Sequence, residues 1–118
     1  MAIHRLEEIA IGRAQLLTPV FFPSISSVKT ALRPAQYLAI LHSLRDLNRC
    51  LLVSAFDLCR SSESDDLAQL LTTALEAGVN VLMDSGNYES YWKDEQSTWH
   101  QSDFHNILQR FSCTFAFG

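Results

Sequence analysis

The stretch Val79-Asn80-Val81-Leu82-Met83-Asp84-Ser85-Gly86 decides the fold, because it runs from a short apolar, β-rich segment straight into an acid, a hydroxyl and a glycine. A nearly continuous apolar run bounded by turn residues is the pattern of a strand buried on both faces in a parallel sheet. Asp84 then falls at the carboxyl end of the strand, where open α/β sheets and (β/α)8 barrels both build their sites.

Working back from Val79, Gly78 fits the residue just past a helix end. The helix is expected to run to about Ala77, with Leu67, Leu70, Leu71, Ala74 and Leu75 facing inward. Ser61, Ser62 or Ser64 is expected to cap it, and Glu63, Asp65 and Asp66 then lie near the positive end of the helix dipole. That placement accounts for the only acidic cluster. Before it, Leu51 to Phe56 reads as a second buried strand, preceded by Cys50 and followed by a loop over Arg60 to Ser64. A helix is expected over Pro34 to Leu47, started by a proline tolerated at the first helical position. Its apolar face would hold Tyr37, Leu38, Leu41 and Leu44, with Asn48 and Arg49 as the exit. Leu6 to Phe22 suggests a short hairpin, turning at Gly12-Arg13, that leads into a strand ended by Pro23.

Working forward from Gly86, Asn87 to Trp99 reads as a polar, aromatic loop. A helix follows from about Ser102 to Phe111, with Phe104, Ile107, Leu108 and Phe111 inward, and Ser112 to Phe117 forms a last strand. Alternation of strand and helix after an opening hairpin argues for one α/β segment over residues 1–118 with parallel crossovers. The last run ends at Gly118, and four parallel strands fall short of the eight strands and roughly 250 residues of a closed barrel. The expected fold is therefore the N-terminal portion of a (β/α)8 TIM-type barrel, with a small open α/β sheet as the alternative.

Hydrophobic residues make up 47% and charged residues 19% of the 118, which suits a globular chain rather than a disordered or fibrous one. The formal charge of -4 argues against this segment alone gripping a nucleic-acid backbone. Met1 to Glu8 lacks the apolar core of a secretory signal, and no run approaches the roughly 18 uncharged apolar residues of a membrane span. Cys50, Cys59 and Cys113 are an odd number without close pairing, so a cytoplasmic location is expected.

Asp84 is the first candidate site residue; Ser85 and Gly86 would bend the chain beside it and offer hydroxyl and N–H groups. The competing role for Asp84 is capping the next helix. Asp57 is a second strand-end acid, which either shares a mouth with Asp84 and divides acid and base roles or pairs with Arg60 as a structural ion pair. Tyr88, Tyr91, Trp92 and Trp99 could stack bases or sugars or simply pack over a rim. His100 and His105 lack the i, i+4 spacing of a zinc pair, and His42 suits a solvated helix surface. No phosphate loop, nucleophile elbow or Cys-x-x-Cys is present.

Three ordered blocks, Thr18-Pro19-Val20-Phe21-Phe22-Pro23, Leu51 to Leu58, and Leu82-Met83-Asp84-Ser85-Gly86-Asn87-Tyr88, resemble the tRNA-guanine transglycosylase family. The first resembles its Thr-Pro-x-Phe-x-Pro strand. The second is loosely similar to its Asn-Thr-Tyr-His-Leu strand end, with Ser54, Ala55 and Asp57 in place of Asn, Thr and His. The third resembles its Asp-Ser-Gly-Gly-Phe/Tyr-Gln segment, with Asn87 and Glu89 departing from it. The resemblance implies a base-exchanging pentosyltransferase acting on a guanine-type base in tRNA or another nucleic acid. It gives Asp84 contact with the base and a proton-transfer role, Tyr88 stacking on that base, and Ser85, Gly86 and Asp57 places around it. It also implies that the nucleophilic aspartate and the zinc-binding residues lie beyond residue 118, leaving this segment without a cofactor of its own. The partners implied are nucleic acid, a purine-like base and a further subunit in a homo- or hetero-oligomer, with no membrane. The alternatives are a catalytically inactive transglycosylase-like subunit or binding module, and an unrelated flavodoxin-like domain.

Overall fold

In Cys50-Leu51-Leu52-Val53-Ser54 every residue but Leu52 is buried, and this run is a central strand of the computed structural model. The structure describes residues 7–11, 14–18, 21–44, 49–111, 113 and 115–117, with backbone only for 7–11, 14–18 and 115.

The hairpin expected at the start is present: β1 (Glu7–Ile11) pairs antiparallel with β2 (Ala14–Thr18). Its turn at Gly12-Arg13 lies outside the described residues, as do Pro19 and Val20. The strand expected before Pro23 instead starts after it, as β3 (Ser24–Ile25). Proline has no N–H for a ladder, but its carbonyl can accept, and Leu52 N–H donates to Pro23 O at 2.8 Å.

Four strands form one parallel sheet in the order β3, β4 (Cys50–Ser54), β5 (Asn80–Asp84), β6 (Phe115–Phe117). Helices lie between them in sequence: α1 (Pro34–Ser43) after β3, α2 (Ala55–Arg60) and α3 (Ser64–Glu76) after β4, and α4 (Asn87–Trp92) and α5 (Gln101–Arg110) after β5. The chain is thus an α/β unit with a small open parallel sheet. Of the strand expected over residues 112–117, β6 is the described part, and residues 112 and 114 lie outside the described residues.

Along β5 burial alternates. Val81 and Met83 are fully covered and pack with the helices' apolar residues, whereas Asn80, Leu82 and Asp84 are half-buried on the opposite face. The β4–β5 register sets Leu51 and Val53 beside Val81 and Met83, and sets Ser54 beside Asp84. One face of the sheet therefore carries the core, with Leu38 of α1, Leu67, Leu71 and Ala74 of α3, and Phe104 and Ile107 of α5 packed over it.

Local signals explain three of the helix ends. Gln36 Oε1 accepts the Arg33 N–H at 2.9 Å ahead of Pro34, and Asp103 Oδ2 accepts the His100 N–H at 2.9 Å ahead of α5. At the end of α3, Gly78 has φ +83°, its N–H donates to Leu75 O and the Val79 N–H to Ala74 O, both at 3.0 Å. This is the paired 5→2 and 6→1 closure that glycine permits.

Four expectations are corrected. The α1 helix ends at Ser43, with Leu44 exposed rather than on the apolar face, and Leu47 and Asn48 lie outside the described residues. No serine side chain caps α3, whose N-cap position is Glu63; Ser61 Oγ instead accepts the Glu63 N–H at 3.2 Å. Ala55 and Phe56 belong to α2, not to the preceding strand, and part of the expected 87–99 loop is α4.

Candidate functional site

The carboxyl ends of β3, β4 and β5 open in the same direction because the strands are parallel. Asp84 is the last residue of β5, half-buried, on the sheet face away from the core and beside Ser54. It does not cap the next helix: the N-cap of α4 is Gly86. Among the described residues its carboxylate is met only by two long contacts at 3.4 Å, from Ser85 Oγ and Gly86 N–H to Oδ1. That leaves strong acceptor capacity at the mouth, since an ionised carboxylate offers about four lone-pair sites.

Gly86 holds this corner. Its φ is +84°, and a Cβ there would lie 2.3 Å from Phe56 Cβ, 2.6 Å from Ser54 Oγ and 2.7 Å from Phe56 N. Only a glycine lets the β5–α4 turn press against the β4–α2 turn at that distance. Among the described residues, Ser54 Oγ is buried there without a hydrogen-bond partner. Ser85 is buried, its N–H donating to Phe117 O at 3.0 Å and its carbonyl accepting from Trp99 Nε1 at 2.9 Å. Trp99 also meets Phe56 edge to face at 5.3 Å. Of the aromatic residues singled out in the sequence, Trp99 is therefore a core residue, whereas Tyr88, Tyr91 and Trp92 stand exposed on α4.

Asp57 does not share the mouth with Asp84 as a strand-end residue. It lies in the first turn of α2 and is 1% exposed. Ser27 grips it with N–H to Oδ2 at 2.9 Å and Oγ–H to Oδ1 at 2.5 Å. Burial pushes its pKa above the ordinary carboxyl value; the Ser27 hydrogen bonds pull it down, the neighbouring Glu89 charge pushes it up, and Lys93 lowers it. The ion pair expected between Asp57 and Arg60 is also absent, because Arg60 reaches Glu95 at 3.2 Å and the Thr98 carbonyl at 3.0 Å.

The acid that the sequence did not single out is Glu89. It is buried in α4, Oε1 accepts from Ser26 Oγ at 2.7 Å, and Oε2 has no hydrogen-bond partner among the described residues. Ser26 and Ser27, adjacent in the loop after β3, thus engage acids on two different helices, α2 and α4. In the sequence this loop falls in a polar, turn-rich stretch from Ser24 to Arg33, which carries no information about partners so far along the chain.

A cavity of about 430 Å³ lies beside this corner, lined by Ser85, Asn87, Trp99, His100, Gln101 and Phe104. Among the described residues no group of three or more His, Cys, Asp or Glu is placed to hold a metal ion, and no helix is long and apolar enough to cross a membrane. No protein-family model, curated protein or solved structure matches the chain.

Proposed function

We propose that this chain is the N-terminal part of a transglycosylase-type (β/α)8 barrel that exchanges a guanine-type base in tRNA or another nucleic acid, with Asp84 as the base-contacting acid. The observation that carries the reading is the Asp84 corner. An acid at a central strand end, turned to the face opposite the core, is held there by a glycine that has no room for a side chain. Strand order supports the barrel. A doubly wound flavodoxin-like sheet changes direction at a switch point, whereas β3, β4, β5 and β6 follow one another in sequence order, as barrel strands do. The face bearing Leu52, Leu82 and Asp84 would then be the lumen side.

The chemistry fits a carboxylate. The Watson–Crick edge of guanine places a ring N–H beside an exocyclic amino group, two donors that a bidentate acceptor can take together. Asp84 would orient the base through these donors and hold or return a proton as the base leaves or enters. Tyr88, the second residue of α4 and 48% exposed, would supply the stacking face. The bond-breaking nucleophile of such an exchange comes from elsewhere in the complete barrel.

The test is calorimetric binding of 7-deazaguanine to the chain and to its Asp84→Asn variant, with circular dichroism to confirm the fold. Loss of two charge-assisted hydrogen bonds should weaken binding by about tenfold or more. Equal affinity for both proteins would overturn the assignment. A second reading, a transglycosylase-like subunit without chemistry of its own, is favoured by one observation: Asp57, which stands where the family has histidine, is buried against Ser27 rather than presented at the mouth.

A further inference from the structure

The six residues of α4 hold two of the three tyrosines and one of the two tryptophans of the sequence. Tyr88, Tyr91 and Trp92 are 48%, 61% and 50% exposed, an unusual arrangement for large rings on so short a helix. Trp92 meets Tyr88 at 6.3 Å and 66° and Tyr91 at 5.5 Å and 87°, so no ring is stacked on another. Buried aromatic surface is not what holds this helix in place; Glu89 and Ser90 are its buried residues.

Both lysines of the sequence lie at the same helix. Lys29, held at φ 54° in the loop after β3, sets its Nζ 3.6 Å from the centre of the Trp92 ring. Lys93 follows Trp92 directly as the C-cap of α4. Of the nearby acids, Glu89 is buried on Ser26, Glu95 is paired with Arg60, Asp57 is buried against Ser27 within reach of the Lys93 charge, and Asp94 follows Lys93 as an exposed carboxylate. The chain is acidic as a whole, at -4, yet here its lysines gather beside open rings. Ring faces with adjacent cations match a polymer of flat bases joined by phosphates, because bases stack on aromatic residues while cations take the backbone.

We infer that α4 and the Lys29 loop form a platform for unpaired RNA nucleotides flanking the exchanged base, with Tyr91 and Trp92 stacking bases and Lys29 and Lys93 meeting phosphates. The choice of RNA rests on the base-exchange reading; the platform itself rests on the aromatic and lysine placement. Lys29 would trade its contact with the Trp92 ring for a phosphate oxygen as a nucleotide arrives.

The experiment is a fluorescence titration of the full chain with octauridylate, in which exposed Trp92 responds and buried Trp99 gives a constant background; variants lacking Trp92 are compared with the unaltered chain by the anisotropy of fluorescein-labelled octauridylate. Quenching that saturates, weakens as salt rises, and loses about ten- to a hundredfold in affinity in Tyr91→Ala/Trp92→Ala is expected. Trp92→Phe should restore most of that affinity. Lys29→Gln/Lys93→Gln should flatten the salt dependence, each phosphate contact accounting for about 0.7 of the logarithmic slope on a single strand. The platform is overturned if octauridylate binds the double aromatic variant as tightly as the unaltered chain, or if polyphosphate binds and quenches equally well. It is likewise overturned if quenching develops with protein concentration alone, which would mark the rings as a contact between copies. Octauridylate carries no guanine, so its binding reads the platform separately from 7-deazaguanine binding at Asp84. Either result can fail without the other.

Discussion

Replacing Gly86 by alanine tests the corner that holds Asp84, and Gly78 supplies its control. Both glycines have left-handed backbones, φ +84° and +83°, so alanine pays about 1–2 kcal/mol at either position for the conformation alone. Their surroundings differ. At Gly78 the nearest atom to a Cβ is Arg49 Nη2 at 3.0 Å, the far end of a flexible side chain that can swing away. At Gly86 the Cβ would meet Phe56 Cβ at 2.3 Å and Phe56 N at 2.7 Å, atoms fixed by the α2 backbone. Forced repacking of this kind adds about 1–3 kcal/mol. Gly86→Ala should therefore lose about 2–5 kcal/mol in total, and Gly78→Ala about 1–2 kcal/mol. With urea slopes of about 1–3 kcal/mol per molar for small domains, the difference is a midpoint shift of about 1 M, readable by circular dichroism. Equal midpoints for the two variants would show that the β4–α2 and β5–α4 turns are not pressed together as described.

Two further outcomes follow from the same region. Because the folded Asp57 pKa lies above its ordinary value, the fold binds that proton more tightly than the unfolded chain does. Its contribution is complete below the ordinary carboxyl range and is lost as pH rises through the raised value; urea midpoints of Asp57→Asn over a pH series should fall less steeply there than those of the unaltered chain, and parallel curves would refute the shift. Trp99→Phe removes the donor to the buried Ser85 carbonyl and part of the packing on Phe56, and should cost about 2–3 kcal/mol in urea denaturation, with a change under 0.5 kcal/mol refuting the Trp99 role.

Much of the scaffold was legible because its signals are local. The run Leu67, Leu71, Ala74 closed by Gly78, and the apolar residues of β5 ending on Asp84, each carry periodicity and boundary within one short window. The short helices α2 and α4 were not. Ala55 to Leu58 are all buried, so no polar face interrupts the apolar run to announce a helix. In α4 the exposed rings hide the burial of Glu89. The site was half legible: Asp84 follows from its strand end, and the exclusion of a Cβ at Gly86 from nothing local. Asp57 finds Ser27 thirty residues away, Glu89 finds Ser26 sixty-three away, and Arg60 finds Glu95 thirty-five away. Partners that distant are set by which strand ends lie side by side, a fact of topology rather than of sequence pattern.

The pairing of β4 with β5 has a consequence for how this chain can vary. Ala77-Gly78-Val79, which joins α3 to β5, fixes which residue of β5 lies opposite Ser54. Adding or removing one residue there would exchange the two faces of β5, sending Asp84 toward the helices and Leu82 into the place of Val81 or Met83. Related chains should tolerate substitutions in the α3–β5 connection far more readily than changes in its length.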